Sequence, residues 1–221
     1  MPPVVSIVGK SETGKTTFLE KLIRELTSRG HRVATIKHTH HDQAFAPPGK
    51  DTLRHLQAGS ETTVLTAPNG VSIVKPFKQQ PNIDDVARLL GDDYDIVLTE
   101  GFSRGEAPKI EVHRKGVGTL LKTATKRFAI VTDEPLDTKV RQFDIDDVKG
   151  VADLLEEGFI NPNKERLTLF VNNTPIPLSE YPRGIMTNVI LGMAAALKGV
   201  GEVKTLQLFL KREPKKKAKK A

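Results

Sequence analysis

Residues 9–16 read GKSETGKT, with the spacing G-x-x-x-x-G-K-[ST]. Gly9 and Gly14 tolerate positive φ, so the backbone between them can curl tightly. Such a curl turns successive N–H groups inward as an anion nest. A helix starting at its far end adds its partial positive charge. In a loop of this type Lys15 brings a point charge to the β- and γ-phosphates, and Thr16 offers a hydroxyl to Mg²⁺. Gly9, Lys10, Ser11, Glu12, Thr13, Gly14, Lys15, Thr16 and Thr17 are therefore the expected cradle of a nucleoside triphosphate. The loop does not choose between ATP and GTP. Lys10 has two readings: a lysine reaching a partner subunit's phosphates, or an amine in solvent at a variable position.

A magnesium-bound nucleotide usually needs a carboxylate at the end of a neighbouring strand. The segment DIVLTEG offers Asp95 at its start and Glu100 at its end. Ligands of open α/β sheets collect at the carboxyl ends of strands, so Glu100 is the expected metal ligand and Asp95 reads as structural. Gly101 next to it would let backbone approach the γ-phosphate. Asp133 ends another apolar run. An acid there can accept from the N1–H and N2–H₂ of guanine, or can cap a turn. His38, His40, His41 and Asp42 crowd one polar tract. Such a tract can hold metal or be a solvated loop, but it has no H-E-x-x-H spacing. It follows a second strand, where a nucleotide-sensing switch is often placed.

The elements that must position these groups follow from hydrophobic spacing. VVSIVG (4–9) is a continuous apolar run, as in a strand buried on both faces. Phe18, Leu19, Leu22, Ile23 and Leu26 recur at helical spacing, and Gly30 ends that helix. RVATIK (32–37) is the next strand, which completes a right-handed βαβ unit. Helices are expected over 51–59, 82–91 and 144–158, and strands over 62–67, 71–77, 94–101 and 128–135, with an Asn69–Gly70 turn. This alternation predicts an α/β doubly wound, mostly parallel sheet. A composition break at NPNKE (161–165) separates a domain over residues 1–160 from a small α+β extension over 165–212. That extension is expected to hold two short strands around Asn172–Asn173, a helix over 187–199 and a final strand over 203–212. Residues 213–221 read as a disordered lysine-rich tail.

Composition narrows the class. The 221 residues are 38% apolar and contain no cysteine, which excludes disulfides and thiolate metal sites. The N-terminus lacks a signal-peptide layout and no run approaches a membrane span, so a soluble cytoplasmic protein is the expectation. The net charge of +7 is concentrated in the last eleven residues, which hold seven Lys/Arg and one Glu. Without a basic stripe in the body, nucleic acid is not an expected partner.

Several segments together carry a family resemblance: VGKSETGKTTFLEKLI, RVATIKHTHHD, PGKDTLRHLQAG, DIVLTEGF followed by PKIEVHR, and FAIVTDEP. From about Val4 to Phe159 the chain resembles the molybdopterin-guanine dinucleotide biosynthesis protein B (MobB) family of GTP-binding adapters. The resemblance implies a P-loop α/β fold, a homodimer, and GTP with Mg²⁺ as the bound nucleotide. It also implies a partner nucleotidyltransferase (MobA-like) that attaches GMP to molybdopterin, with weak GTP hydrolysis. Carried over, residues 9–17 would hold phosphates, and Thr16 with Glu100 would hold Mg²⁺. The stretch containing His38, His41, Asp42, Lys50 and Asp51 would form a switch or partner loop. The family commonly has a small or aromatic residue where this chain has Lys10, and the segment from Glu165 onward exceeds its usual length. The competing readings are a dimeric ATPase of the partition or metallochaperone class, which Lys10 would suit, and a small-molecule kinase. A kinase needs lid arginines, for which only Arg104 and the LSEYPRG segment are candidates.

Overall fold

The computed structural model describes residues 1–39, 49–172 and 174–212. The chain forms two compact units, Met1–Arg166 and the residues from Leu167 on.

The first unit is built on a six-stranded sheet in which every pairing is parallel. Its strands are β1 (Val4–Val8), β2 (Val33–Lys37), β5 (Ile96–Glu100), β6 (Lys109–Val112), β7 (Arg127–Thr132) and β8 (Arg141–Asp144), in the order β2-β5-β1-β6-β7-β8. A separate antiparallel hairpin, β3 (Thr63–Ala67) and β4 (Gly70–Val74), turns at the expected Asn69–Gly70. The helices of this unit are α1 (Lys15–Ser28), α2 (Lys50–Gln57), α3 (Ile83–Leu90) and α4 (Val148–Leu155). The last of these continues through a π turn over Glu156–Ile160. The fold is thus the expected P-loop type of α/β sheet.

Strand alternation divides the core between the two faces of the sheet. Phe18, Leu19, Leu22 and Leu26 of α1 join Val151, Ala152 and Leu155 of α4 on one face, over Val5, Ile7, Leu98, Ile110 and Val131. Ala87 of α3 meets Ala34, Ile36 and Val97 on the other. The sheet is therefore covered on both sides, as a parallel sheet requires. A buried hydrogen bond from Thr99 Oγ1 to Ser6 Oγ, 2.9 Å, joins β5 to β1 at paired positions.

Two strands depart from the sequence expectation. β6 carries two charged residues that are fully buried, Lys109 and Glu111. Lys109 Nζ donates to the carbonyls of Gly105 and Ala107. Glu111 accepts from the Leu121 N–H at 2.7 Å and pairs with Arg127 Nε at 2.6 Å. Those partners replace water, so the charges do not keep the strand out of the core. β8 takes Asp144 as its last residue, and the helix expected from Asp144 begins only at Val148, capped by Asp147.

In the second unit, β9 (Leu169–Val171) and β10 (Thr174–Ile176) pair antiparallel. α5 (Glu180–Ala195) starts earlier than the expected Thr187, because Pro182 lies in its first turn, where a missing N–H costs no hydrogen bond. Residues 203–212 form no strand, contrary to the expectation from their apolar alternation. Alternation describes a strand only where a second strand supplies the hydrogen bonds, and none pairs with this segment among the described residues.

Candidate functional site

β1 runs directly into the glycine loop. Gly9 has φ 150°, and a Cβ on it would come within 2.3 Å of the Val112 carbonyl oxygen on β6. The loop can start this close to the neighbouring strand only without a side chain. Glu12 and Gly14 also take positive φ, 66° and 86°. Changes of hand along a short loop are what turn backbone N–H groups toward a common centre. Gly14 is the N-cap of α1 and makes no side-chain cap, so the helix's first N–H groups remain available to an anion. Thr13 is buried and donates to the Lys10 carbonyl at 3.0 Å, and Lys15 Nζ donates to the same carbonyl. Burial holds the Lys15 ammonium below the usual lysine pKa; Glu100 opposes that effect and Lys37 adds to it.

Thr16 follows Lys15 on α1, and its Oγ1 donates to Glu100 Oε1 at 3.0 Å. Glu100 ends β5 and lies opposite Lys37 of β2 in register. Lys37 Nζ is 3.5 Å from the same carboxylate oxygen. A hydroxyl and a carboxylate converging beside a phosphate loop form a hard-oxygen donor set of the kind Mg²⁺ takes, so the residues fit that ion. Sequence reasoning did not single out Lys37. Its signal was its place at the carboxyl end of a strand, but only the register shows that it faces Glu100.

Gly101, φ 105°, passes under His38: a Cβ on it would be 3.1 Å from the His38 Cβ. The His38 N–H donates to the Glu100 carbonyl at 2.9 Å, and its ring stacks on Phe102 with centroids 4.3 Å apart. His38 is therefore held against the end of β5. His41 and Asp42 lie outside the described residues. Lys50 and Asp51 open α2, where Asp51 pairs with Arg54 one turn on at 3.6 Å. Asp95 links strands at the opposite end of β5, its Oδ2 accepting from the Arg32 N–H at 2.8 Å.

On the other side of β1, Asp133 follows β7, exposed, and its Oδ1 accepts from the Lys115 N–H at 2.7 Å. Lys115 belongs to the connection from β6 to β7. Two more features of that connection meet the glycine loop. Arg114 Nη2 lies 3.7 Å from the position a Cβ on Gly14 would take, and Gly118 lies against Lys10, whose Nζ would be 2.6 Å from a Cβ there. The Lys10 side chain thus packs against Gly118 of its own chain. Sequence reasoning missed Arg114, although it stands just past the end of a strand beside the loop.

Comparison with known proteins identifies relatives of this chain. Residues 4–133 match the family model "Molybdopterin guanine dinucleotide synthesis protein B". The chain is 35% identical over 163 residues to a molybdopterin-guanine dinucleotide biosynthesis adapter protein of Escherichia coli (strain K12), covering 71% of this chain and 93% of that protein. It is also 35% identical to the protein of the same name from Haemophilus influenzae, over 70% of this chain and 88% of the other. A crystal structure of molybdopterin-guanine biosynthesis protein B superimposes with a TM-score of 0.53 at 28% identity, covering 70% of this chain and 97% of that one.

Proposed function

Because the chain belongs to the molybdopterin guanine dinucleotide synthesis protein B family, we propose that it is a GTP-binding adapter in molybdenum cofactor biosynthesis. In this reading it works in the cytoplasm as a homodimer beside a MobA-like nucleotidyltransferase. That partner joins GMP to molybdopterin to give the guanine dinucleotide form of the cofactor. Any GTP hydrolysis by the adapter itself is weak.

The observation that carries the nucleotide part is the Thr16–Glu100 hydrogen bond at the mouth of the glycine loop. The N–H groups of residues 9–17 receive the phosphates, and Lys15 supplies an ammonium that burial has partly stripped of water. Thr16 and Glu100 would hold Mg²⁺, which neutralises and orients β- and γ-phosphate oxygens when bound. Lys37, at the same carboxylate, stands where a terminal phosphate would gain a second cation. His38, which belongs to the expected switch or partner segment, fixes the backbone on which Glu100 ends. In this reading the purine extends past the carboxyl end of β7, where the Asp133 carboxylate would accept from guanine. Lys10 lies against Gly118 of its own chain, which lends no support to an ATPase reading based on a cross-subunit lysine.

Titration with labelled GTP and ATP, with and without Mg²⁺, tests this. GTP should bind more tightly, and Mg²⁺ should strengthen the binding. A preference for ATP would remove the proposal.

A further inference from the structure

The connection from β6 to β7, residues 113–126, comes against the glycine loop at Arg114 and Gly118 and holds Asp133 through the Lys115 N–H. We propose that this connection is the second wall of the nucleotide site, and that Arg114 is the cation holding the α- and β-phosphates on the side away from Glu100. The inference rests on the reading that the loop binds a guanine nucleotide, and it adds a residue to that site.

The argument is one of order along the sheet. Lys37 and Glu100 end β2 and β5, on one side of β1. Arg114 follows β6 and Asp133 follows β7, on the other side. The glycine loop, springing from β1, lies between them. A nucleotide is itself linear: metal and terminal phosphate at one end, then the inner phosphates, the ribose and the base. If the metal end lies at Thr16–Glu100 and the base end toward Asp133, the inner phosphates and ribose pass between the loop and Arg114. The guanidinium is placed for that. It lies 3.7 Å from where a Gly14 Cβ would be, over the N-terminus of α1, where the phosphate-facing N–H groups emerge. It is exposed, so it can turn toward a ligand. Its planar fork suits two phosphate oxygens at once, which a lysine cannot match. An acid that feels the Arg114 charge is Asp146, whose carboxyl is held below the usual range first by a 2.8 Å hydrogen bond from Lys21 and also by Arg114. Asp146 already has Lys21 as its direct partner, so Arg114 is not needed to neutralise it.

This position makes a specific claim about ligands. A group on the inner phosphates serves GDP and GTP alike, whereas one at Glu100 serves the triphosphate with its metal. The test is titration of GDP and GTP, each with Mg²⁺, into the full chain and its variants. Arg114→Ala should weaken both nucleotides by the same factor, roughly 10- to 100-fold for the loss of charged hydrogen bonds. Arg114→Lys should recover part of the loss. Asp146→Asn should leave both affinities unchanged, whereas a weakening equal to that of Arg114→Ala would overturn the inference by making the ion pair the operative feature. Thermal melting of each variant separates a folding defect from a binding defect. Wild-type affinities in Arg114→Ala, or a loss confined to GTP, would also overturn the inference while leaving the glycine-loop assignment intact. Lys15→Ala tests that assignment separately: wild-type affinity there would overturn the cradle reading, and with it the proposal for Arg114.

Discussion

At the scale of single residues, the site is a set of opposed charges whose balance a bound phosphate would complete. Glu100 is the centre of that balance. Its side chain is 14% exposed and accepts from Thr16 at 3.0 Å while facing Lys37 at 3.5 Å. A carboxylate this enclosed, between a hydroxyl and an ammonium, can be relieved of the ammonium when a cation of higher charge arrives. Glu100→Gln keeps an oxygen to accept from Thr16 and removes only the charge. The variant is therefore expected to fold normally and to bind GTP about as wild type does without Mg²⁺. The strengthening by Mg²⁺ should fall roughly tenfold or more, the size of a lost charged contact. Titrations of wild type and variant in chelator and in Mg²⁺ give the comparison. A Mg²⁺ response equal to wild type would show that Glu100 is not the metal ligand.

At the scale of elements, the glycine loop takes its shape because β6 packs directly beside its start. Gly9 meets the Val112 carbonyl where a Cβ would stand at 2.3 Å, and its φ of 150° is a conformation that a side chain resists. Gly9→Ala must push the loop off β6 or strain it. The expected cost is about 1–3 kcal/mol of stability, read by thermal or denaturant unfolding, together with loss of GTP binding in titration. Full GTP affinity in that variant would mean that the loop need not keep its register on β6. The same strand explains what the sequence disclosed and what it hid. The run from β1 through the loop and α1 to β2 was legible because apolar spacing and glycine placement are local signals. Glu100 was legible because it ends an unbroken apolar run. β6 was hidden because Lys109 and Glu111 break the apolar run, while what satisfies them is visible only in the fold: Lys109 turns back onto the carbonyls of Gly105 and Ala107, and Glu111 pairs with Arg127 on β7. β8 was hidden because Phe143 is its only buried residue, as suits an edge strand. Lys37 and Arg114 were visible as residues but not as neighbours of the loop, since that depends on the strand order β2-β5-β1-β6-β7-β8.

At the scale of the whole molecule, every group of the proposed site belongs to the unit Met1–Arg166, and so do both of its core clusters. The unit closes on its own last residue. Arg166 Nε donates to Asp92 Oδ1 at 3.0 Å, and Nη2 donates to the carbonyls of Asp92 and Tyr94 at 2.6 and 2.7 Å. The Met1 ammonium lies 3.4 Å from that same Asp92 oxygen. These bonds satisfy the turn that leads into β5, the strand carrying Glu100, so the boundary of the unit and the position of the metal-facing carboxylate are linked through one short segment. A chain ending at Arg166 is therefore expected to fold, to melt within a few degrees of the full chain and to bind GTP equally well. A chain ending at Glu165 removes the guanidinium and leaves the Asp92 and Tyr94 carbonyls without it. It should be about 1–3 kcal/mol less stable, the usual penalty for such a loss. Melting curves of the two truncations, with GTP titrations of each, decide the matter. If both melt alike, Arg166 is not the clasp. If the chain ending at Arg166 fails to bind GTP while the full chain does, the residues from Leu167 on contribute to nucleotide binding, and the site is not confined to the first unit.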